Sequence, residues 1–103
     1  MNEKFNVGDI VLSVAGHDAD RFYIIVSMEG IYAHICNGKL HKIEKPKKKK
    51  IKHLRNTGCT YEELTGVQVE KSKITNPALK RAIVAYKSSL SASSAEKGYT
   101  SSR

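Results

Sequence analysis

The chain has no tryptophan, two cysteines, two prolines and no apolar run approaching the roughly 18 residues that a membrane-spanning helix needs. Two cysteines, Cys36 and Cys59, are too few for a disulfide framework, so we expect free thiols in a reducing compartment. The first residues also lack the apolar run of a signal peptide, and we therefore expect a cytoplasmic protein. A length of 103 residues is that of one domain.

The sequence also lacks the residue spacings that metal and catalytic sites require. It has no Cys-x-x-Cys pair and no Cys-His pair with structural-zinc spacing. His34 and Cys36 would share one face of a strand, but a catalytic thiol needs a base and an orienting group in a cleft. There is no glycine-rich phosphate loop. We therefore expect no enzymatic activity, no metal site and no cofactor.

Positive charge is abundant, and its excess lies in one segment. Residues 39–55, which read KLHKIEKPKKKKIKHLR, hold nine Lys or Arg against one acidic residue, a formal charge of +8 that equals the charge of the whole chain. The other 86 residues carry nine basic and nine acidic groups, which cancel. A neutral body with one basic segment indicates a polyanionic partner. We call residues 39–55 the basic strip.

Three interpretations of the basic strip are open: contact with nucleic acid, a solvated edge, or contact with an anionic membrane or protein. The strip is internal, and it is interrupted by apolar residues that would anchor it to a core while the lysines point outward: Leu40, Ile43, Ile51 and Leu54. Pro46 suits an edge or a bend rather than a central strand.

Alternating apolar residues and intervening turn formers predict five short strands. These are residues 10–15, 22–28, 31–36, 39–44 and 51–54. In the first strand, Ile10, Leu12 and Val14 would face the core. Asn37-Gly38 would form a two-residue hairpin turn before the fourth strand. Because closure removes unpaired edges, this pattern favours a mainly β fold, a small barrel or curled sheet formed by residues 1–57.

The remaining residues predict a linker, a helix and a tail. Residues 58–75 would be a linker with one helical turn at 61–64, capped by Thr60. A helix would span residues 76–90 and would begin at Asn76 or Thr75, with Asn76 as a suitable N-cap and Pro77 at the first helical position. Its apolar stripe consists of Leu79, Ala82, Ile83, Tyr86 and Leu90. Residues 91–103 are rich in serine and poor in apolar groups, so we expect a disordered tail.

Three features together resemble the KOW-domain RNA-binding proteins. Val7-Gly8-Asp9 opens a strand, the loop of residues 15–21 runs directly into the next strand, and residues 37–42 lead into the basic strip. The closer likeness is to a small bacterial group akin to the archaeal and eukaryotic large-subunit ribosomal proteins fourteen, six and twenty-seven, and it covers residues 6–57. Gly16 matches the family's loop glycine, whereas Asp20 stands where many members have a second glycine. The resemblance implies an SH3-like β-barrel that binds structured RNA, usually ribosomal RNA.

The candidate RNA-binding residues lie in this loop and in the basic strip. Lysines suit contact with phosphates, and histidines stack or hydrogen-bond with bases. The predicted set is Gly16, His17, Arg21, Lys39, His41, Lys42, Lys45, Lys47, Lys48, Lys49, Lys50, Lys52, His53 and Arg55. Tyr23 and Tyr32 would either form an outward stacking pair or pack partly in the core.

Two functions are consistent with these patterns. The first is a monomeric RNA-binding protein that docks on ribosomal RNA of the large subunit, as a ribosomal component or an associated factor. The second is an adaptor in transcription or translation, in which the barrel and the helix contact another protein and the lysines only steer. The helix distinguishes them, because its apolar stripe packs on the barrel in the first case and is exposed in the second.

Overall fold

The structure is a computed structural model that describes residues 4–16, 21–70 and 73–97, with side chains described as far as residue 90. Five strands form one antiparallel sheet in the order β4-β3-β2-β1-β5: β1 (Asp9–Ser13), β2 (Phe22–Glu29), β3 (Tyr32–Cys36), β4 (Lys47–Lys50) and β5 (Leu54–Thr60). A 3-10 turn, Ile51–His53, joins β4 to β5. Two helices follow, α1 (Tyr61–Thr65) and α2 (Asn76–Lys97).

The predicted fold class, a mainly β barrel-like sheet with a C-terminal helix, is confirmed. Strands β4 and β5 lie at opposite edges of the sheet, yet the turn between them has only three residues. The edges of a flat five-stranded sheet would be about 19 Å apart, whereas three residues of 3-10 helix advance about 6 Å. The sheet must therefore curl until its two edges meet at this turn.

The curled sheet is buried on both faces, so the core has two parts. The inner cluster lies within the curl and contains Val11, Tyr23, Ile25, Ala33, Ile35 and Leu54. The outer cluster lies between the sheet and the helices and contains, among others, Ile10, Ile24, Val26, Leu79 and Ile83. Strand β2 contributes alternate residues to both clusters, which explains why its sequence, FYIIV, is continuously apolar.

The prediction that only one face of β1 is buried was wrong. Ile10 and Val11 are both fully buried although they point to opposite faces, and Ser13 is fully buried as well. Val14, predicted to face the core, is 41% exposed and follows the end of the strand. The physical reason is that α2 covers the second face of the sheet. The order of polar and apolar residues within one strand does not reveal that a helix will cover that face.

The Asn37-Gly38 hairpin and the strand at residues 39–44 were also wrong predictions. Residues 37–46 instead form a loop, in which the Asn37 side-chain oxygen accepts hydrogen bonds from the backbone amides of Lys39 and His41 at 3.0 and 3.1 Å. Gly38 has a φ of +78°, and a β carbon there would overlap the carbonyl oxygen of Asn76. The glycine therefore allows the loop to pack against the start of α2 rather than to turn a hairpin.

The last two strands lie later in the sequence than predicted. The fourth strand is the lysine run itself, and residues 51–53 form the 3-10 turn. Strand β5 begins at Leu54, where the predicted fifth strand ends, and it runs to Thr60, into the predicted linker, because it pairs with β1 from Ser13↔Leu54 to Asp9↔Thr60. Its Asn56 donates to the buried Asp9 carboxylate at 2.8 Å, so a polar pair replaces the apolar pattern that would have marked a strand.

Both helices begin as the sequence predicts, although one cap differs. Thr60 and Glu63 form a reciprocal capping box at α1, which confirms the predicted turn. Helix α2 begins at Asn76, but its cap is Thr75, whose hydroxyl accepts from the Ala78 amide at 3.2 Å. Pro77 is thus the second helical residue. The helix continues to Lys97, past the predicted end at residue 90, and residues 98–103 of the predicted tail lie outside the described residues.

The apolar stripe of α2 packs on the sheet. Leu79, Ala82 and Ile83 are buried in the outer cluster. The Tyr86 ring meets the Phe22 ring edge-on, with centroids 5.2 Å apart. Leu90 is 43% exposed and lies beyond this contact. The helix is therefore part of the domain that the barrel forms.

Replacing Gly38 by Ala should destabilise the protein more than replacing Gly30 by Ala. Both glycines have positive φ, but only Gly38 contacts the helix backbone, whereas Gly30 has open space around it. We expect about 1–2 kcal/mol of lost unfolding free energy for Gly30→Ala, and at least about 1 kcal/mol more for Gly38→Ala because of the overlap. Urea denaturation followed by circular dichroism measures both. Equal losses would contradict the proposed contact between the loop and α2.

Candidate nucleic-acid interface

Four consecutive lysines form β4, at one edge of the sheet. They pair with β3 in the register Tyr32↔Lys50, Ala33↔Lys49, His34↔Lys48 and Ile35↔Lys47. The ladder continues one residue further, where the Ile51 amide donates to the Ile31 carbonyl at 2.8 Å. Lysines at an edge also oppose pairing with a second sheet, because bringing two such edges together would desolvate and juxtapose like charges. The lysine run is therefore part of the sheet and not a tether.

The flanks of β4 hold it in place. Leu54 is buried in the inner cluster, and Ile51 packs against the same cluster. Before the strand, Ile43 packs against the outer cluster. Three of the four predicted anchors therefore contact the core. Leu40 does not, since it is 56% exposed, and its prediction as an anchor was wrong.

The strand geometry divides the lysines between two faces. Lys48 and Lys50 lie on the face of Tyr32 and His34, whereas Lys47 and Lys49 lie on the other. On the first face, the Lys48 ammonium is 4.6 Å from the centre of the Tyr32 ring. Tyr32 is half-buried with this lysine over its ring, while Tyr23 is fully buried in the inner cluster. Of the two alternatives for these tyrosines, core packing therefore holds for Tyr23.

A carboxylate, that of Glu29, lies beside Lys48 on this first face. His34 Nε2 lies 3.0 Å from Glu29 Oε1, and Lys48 Nζ lies 3.7 Å from the same oxygen. The hydrogen bond from His34, and then the charge of Lys48, hold the pKa of Glu29 below its ordinary value. An RNA phosphate approaching Lys48 would therefore compete with Glu29 for the ammonium group.

On the second face, Lys49 connects the basic strip to the loop between β1 and β2. Its ammonium donates to the Ala15 carbonyl at 2.9 Å, and a β carbon on Gly16 would lie 3.5 Å from the same nitrogen. The adjacent backbone is joined to the turn after β4, since the Val14 amide donates to the His53 carbonyl at 2.9 Å. Two separately predicted parts of the site, the glycine loop and the strip, thus meet here. His17 lies outside the described residues.

The other predicted residues are distributed along the strip and beyond it. Lys42, Lys45, Lys47, Lys52 and Arg55 are exposed. His41 is half-buried, and its ring centroid lies 5.7 Å from that of Tyr23. Arg21 and Lys39 line a different surface, a groove of about 640 Å³ beside α2 that also holds Lys80 and Lys87. Sequence reasoning missed these two helix lysines, although their spacing of seven residues places them on one face of α2.

A side-chain clamp joins the first half of the strip to α2. The Asn76 side-chain oxygen accepts from the Ile43 amide at 2.8 Å. Its nitrogen donates to both carboxylate oxygens of Glu44, at 2.9 and 3.2 Å. The hydrogen bond from Asn76 lowers the pKa of Glu44 below its ordinary value. Asn76 therefore fixes the loop through which the strip enters β4, a role that replaces the capping role predicted for it.

Neither of the two cysteines forms a disulfide. Cys36 is fully buried, and Cys59 is half-buried. Burial, and then the negative charge of Glu63, raise the pKa of the Cys59 thiol, which disfavours the thiolate that nucleophilic chemistry needs.

Across residues 4–16, 21–70 and 73–97, no three His, Cys, Asp or Glu side chains converge in a group that would hold a metal ion. Within the same residues, neither helix has the length and apolarity to cross a membrane.

A comparison with models of known protein families finds no match to this chain, and a comparison with curated protein sequences finds none either.

Replacing Asn76 should raise the pKa of Glu44. In Asn76→Ala the hydrogen bond to the carboxylate is lost, so the pKa rises towards its ordinary value. In Asn76→Asp the acceptor for the Ile43 amide is kept, while the donor is replaced by a like charge, so the pKa rises further. Because the folded-state pKa of Glu44 is lowered, its stabilising effect is present above the unfolded pKa and is lost as pH falls through the folded one.

NMR titration of the Glu44 side-chain carboxyl carbon measures this shift. The control is Glu29, whose pKa is set by His34 and Lys48 and should be the same in all three proteins. A Glu44 pKa that is unchanged in both variants would show that Asn76 does not hold the carboxylate.

Proposed function

We propose that the protein binds structured RNA through β4 and the residues that flank it. The observation that carries this proposal is that the four lysines of β4 form a paired strand, anchored to the core on both sides by Ile43 and Leu54. Within the strip, Lys39 lines the groove beside α2, His41 lies against Tyr23, and Lys49 donates to the Ala15 carbonyl. The proposed contact residues are the other basic groups of the strip: Lys42, Lys45, Lys47, Lys48, Lys50, Lys52, His53 and Arg55.

An ordered strand suits this task better than a flexible tail does. Lysines two residues apart on one face are separated by about 7 Å, so each ammonium group can contact a different phosphate. Each phosphate that is neutralised releases condensed counterions, which supplies most of the sequence-independent affinity. Because the backbone is already paired with β3, RNA binding would order only side chains, and the entropy cost of fixing the backbone has been met by folding.

The resemblance to KOW-domain proteins supports the same partner. The loop that carries Gly16 is part of this resemblance, and it is joined to β4 by the hydrogen bond from Lys49 to the Ala15 carbonyl.

The finer part of the proposal concerns the RNA and its assembly. We propose that the RNA is ribosomal, that the protein acts in the cytoplasm as a monomer, and that it belongs to a large-subunit ribosomal or ribosome-associated assembly. Against the alternative, an adaptor that docks through the barrel and the apolar stripe of α2, four of the five stripe residues pack on the sheet: Leu79, Ala82, Ile83 and Tyr86.

Replacing Lys47, Lys48 and Lys50 together by Ala should weaken binding to a folded RNA and reduce its salt dependence. Because three ammonium groups no longer neutralise phosphates, the slope of log K against log salt concentration should decrease by about 2–3, at about 0.7–0.9 per phosphate. A filter-binding or anisotropy series from low to high salt measures the slope. Lys49 is left unchanged in this variant because it donates to the Ala15 carbonyl and supports the fold.

The matched control replaces Lys73, Lys80 and Lys87 by Ala, which removes the same charge from exposed positions outside the strip. Its slope should stay close to that of the unmodified protein. Equal slopes for both variants would mean that net charge, and not β4, determines binding, and the proposal would be wrong. For the ribosomal part, the protein should sediment with large subunits at low salt and be released at high salt.

A further inference from the structure

The groove beside α2 is a second surface with its own chemistry. It lies between the helix, Arg21 and Phe22 at the start of β2, and the loop that follows β3, and it has a volume of about 640 Å³. This is within the range of ligand-binding sites. Two residues of the predicted RNA-binding set, Arg21 and Lys39, line this groove, but they are not among the contact residues proposed above.

The two walls of the groove present the same combination of groups. The helix wall carries Lys80, Val84 and Lys87, which the spacing of four and three residues places on one face of α2. The opposite wall carries Arg21, Lys39 and Leu40. Each wall therefore has two cations and one exposed aliphatic side chain, since Val84 is 62% and Leu40 56% exposed.

The cations of the groove are not neutralised by the described part of the chain. No carboxylate among the described residues lines the groove, and none forms an ion pair with Arg21, Lys39, Lys80 or Lys87. Lys87 instead lies over the Phe22 ring, 6.0 Å from its centre. Two copies that met groove to groove would bring the same four cations together and would repel each other, so the groove is not suited to a symmetric contact between two copies.

We propose that this groove binds an acidic, amphipathic peptide segment of a partner protein. Apolar side chains of the segment would cover Val84 and Leu40, and its carboxylates would pair with the cations of both walls. Nucleic acid fits less well, because a sugar-phosphate backbone leaves the two aliphatic side chains solvated. A helical segment is suited to the site, since apolar residues at intervals of three and four place its carboxylates on both flanks of one stripe.

The experiment uses the full chain and a synthetic probe. The probe is a fluorescein-labelled 16-residue helical peptide, with Leu at every third or fourth position and Glu on both flanks of that stripe. A second peptide has Gln in place of every Glu. We expect the acidic peptide to bind and to perturb the backbone amide signals of residues 39–40 and 80–87, and the Gln peptide to bind at least about tenfold more weakly.

Variants test whether the groove is the site. Lys80→Glu with Lys87→Glu, and separately Val84→Asp, should each weaken the acidic peptide by about tenfold or more. The matched control, Lys4→Glu with Lys73→Glu, makes the same charge change at exposed positions outside the groove and the basic strip, and it should alter affinity less than about twofold. The lysine variants keep the test valid if Val84→Asp fails to fold.

Four results would overturn the proposal: no binding of the acidic peptide, amide perturbations confined to β4, equal weakening by the groove and control variants, or binding of oligouridylate or anionic phosphatidylglycerol vesicles to the groove in preference to the peptide. The Lys47, Lys48 and Lys50 triple Ala variant should bind the peptide as the unmodified protein does. Failure of the groove proposal is thereby distinguishable from failure of the RNA-binding proposal.

Discussion

The position of the lysine run depends on the apolar residues on either side of it. Four like charges in one strand oppose its formation: two lysines on the same face, about 7 Å apart, repel each other by about 0.6 kcal/mol in water, and salt reduces this further. Burying a leucine or isoleucine side chain contributes about 1.5–3 kcal/mol. Leu54 is buried, and Ile43 and Ile51 pack against the core. The flanks therefore outweigh the repulsion, and the charges remain at an edge where water and ions solvate them.

Helix α2 links the core to both candidate surfaces, the basic strip and the groove. Strand β2 is buried on two faces, and α2 covers the outer one with its apolar stripe. This packing leaves the Lys80, Val84 and Lys87 face of the helix beside the groove. The Asn76 clamp then connects the start of the same helix to the loop that enters β4. One helix thus stabilises the sheet, forms a wall of the groove and positions the basic strip.

Much of this fold was predictable because local patterns sufficed. Strand β2 follows from its short apolar run, β3 from alternation, the Thr60 cap from capping chemistry, and the apolar stripe of α2 from helical spacing. The fourth strand could not be found in this way, since no apolar alternation marks the four lysines of β4 and only pairing with β3 makes them a strand. Asn37-Gly38 predicted a hairpin, but its glycine is required by contact with Asn76, which is 38 residues away in sequence. Similarly, the groove joins Arg21 and Lys39 with Lys80 and Lys87, a combination that only tertiary structure creates.

The most direct test of the account is the backbone order of Lys47–Lys50 in the free protein, measured as amide order parameters by nitrogen-15 NMR relaxation. If these lysines form a strand paired with β3, their values should be about 0.85, equal to those of β2 and β3. Values below about 0.6, typical of a flexible segment, would show that the lysines are a loose tether and would contradict the account.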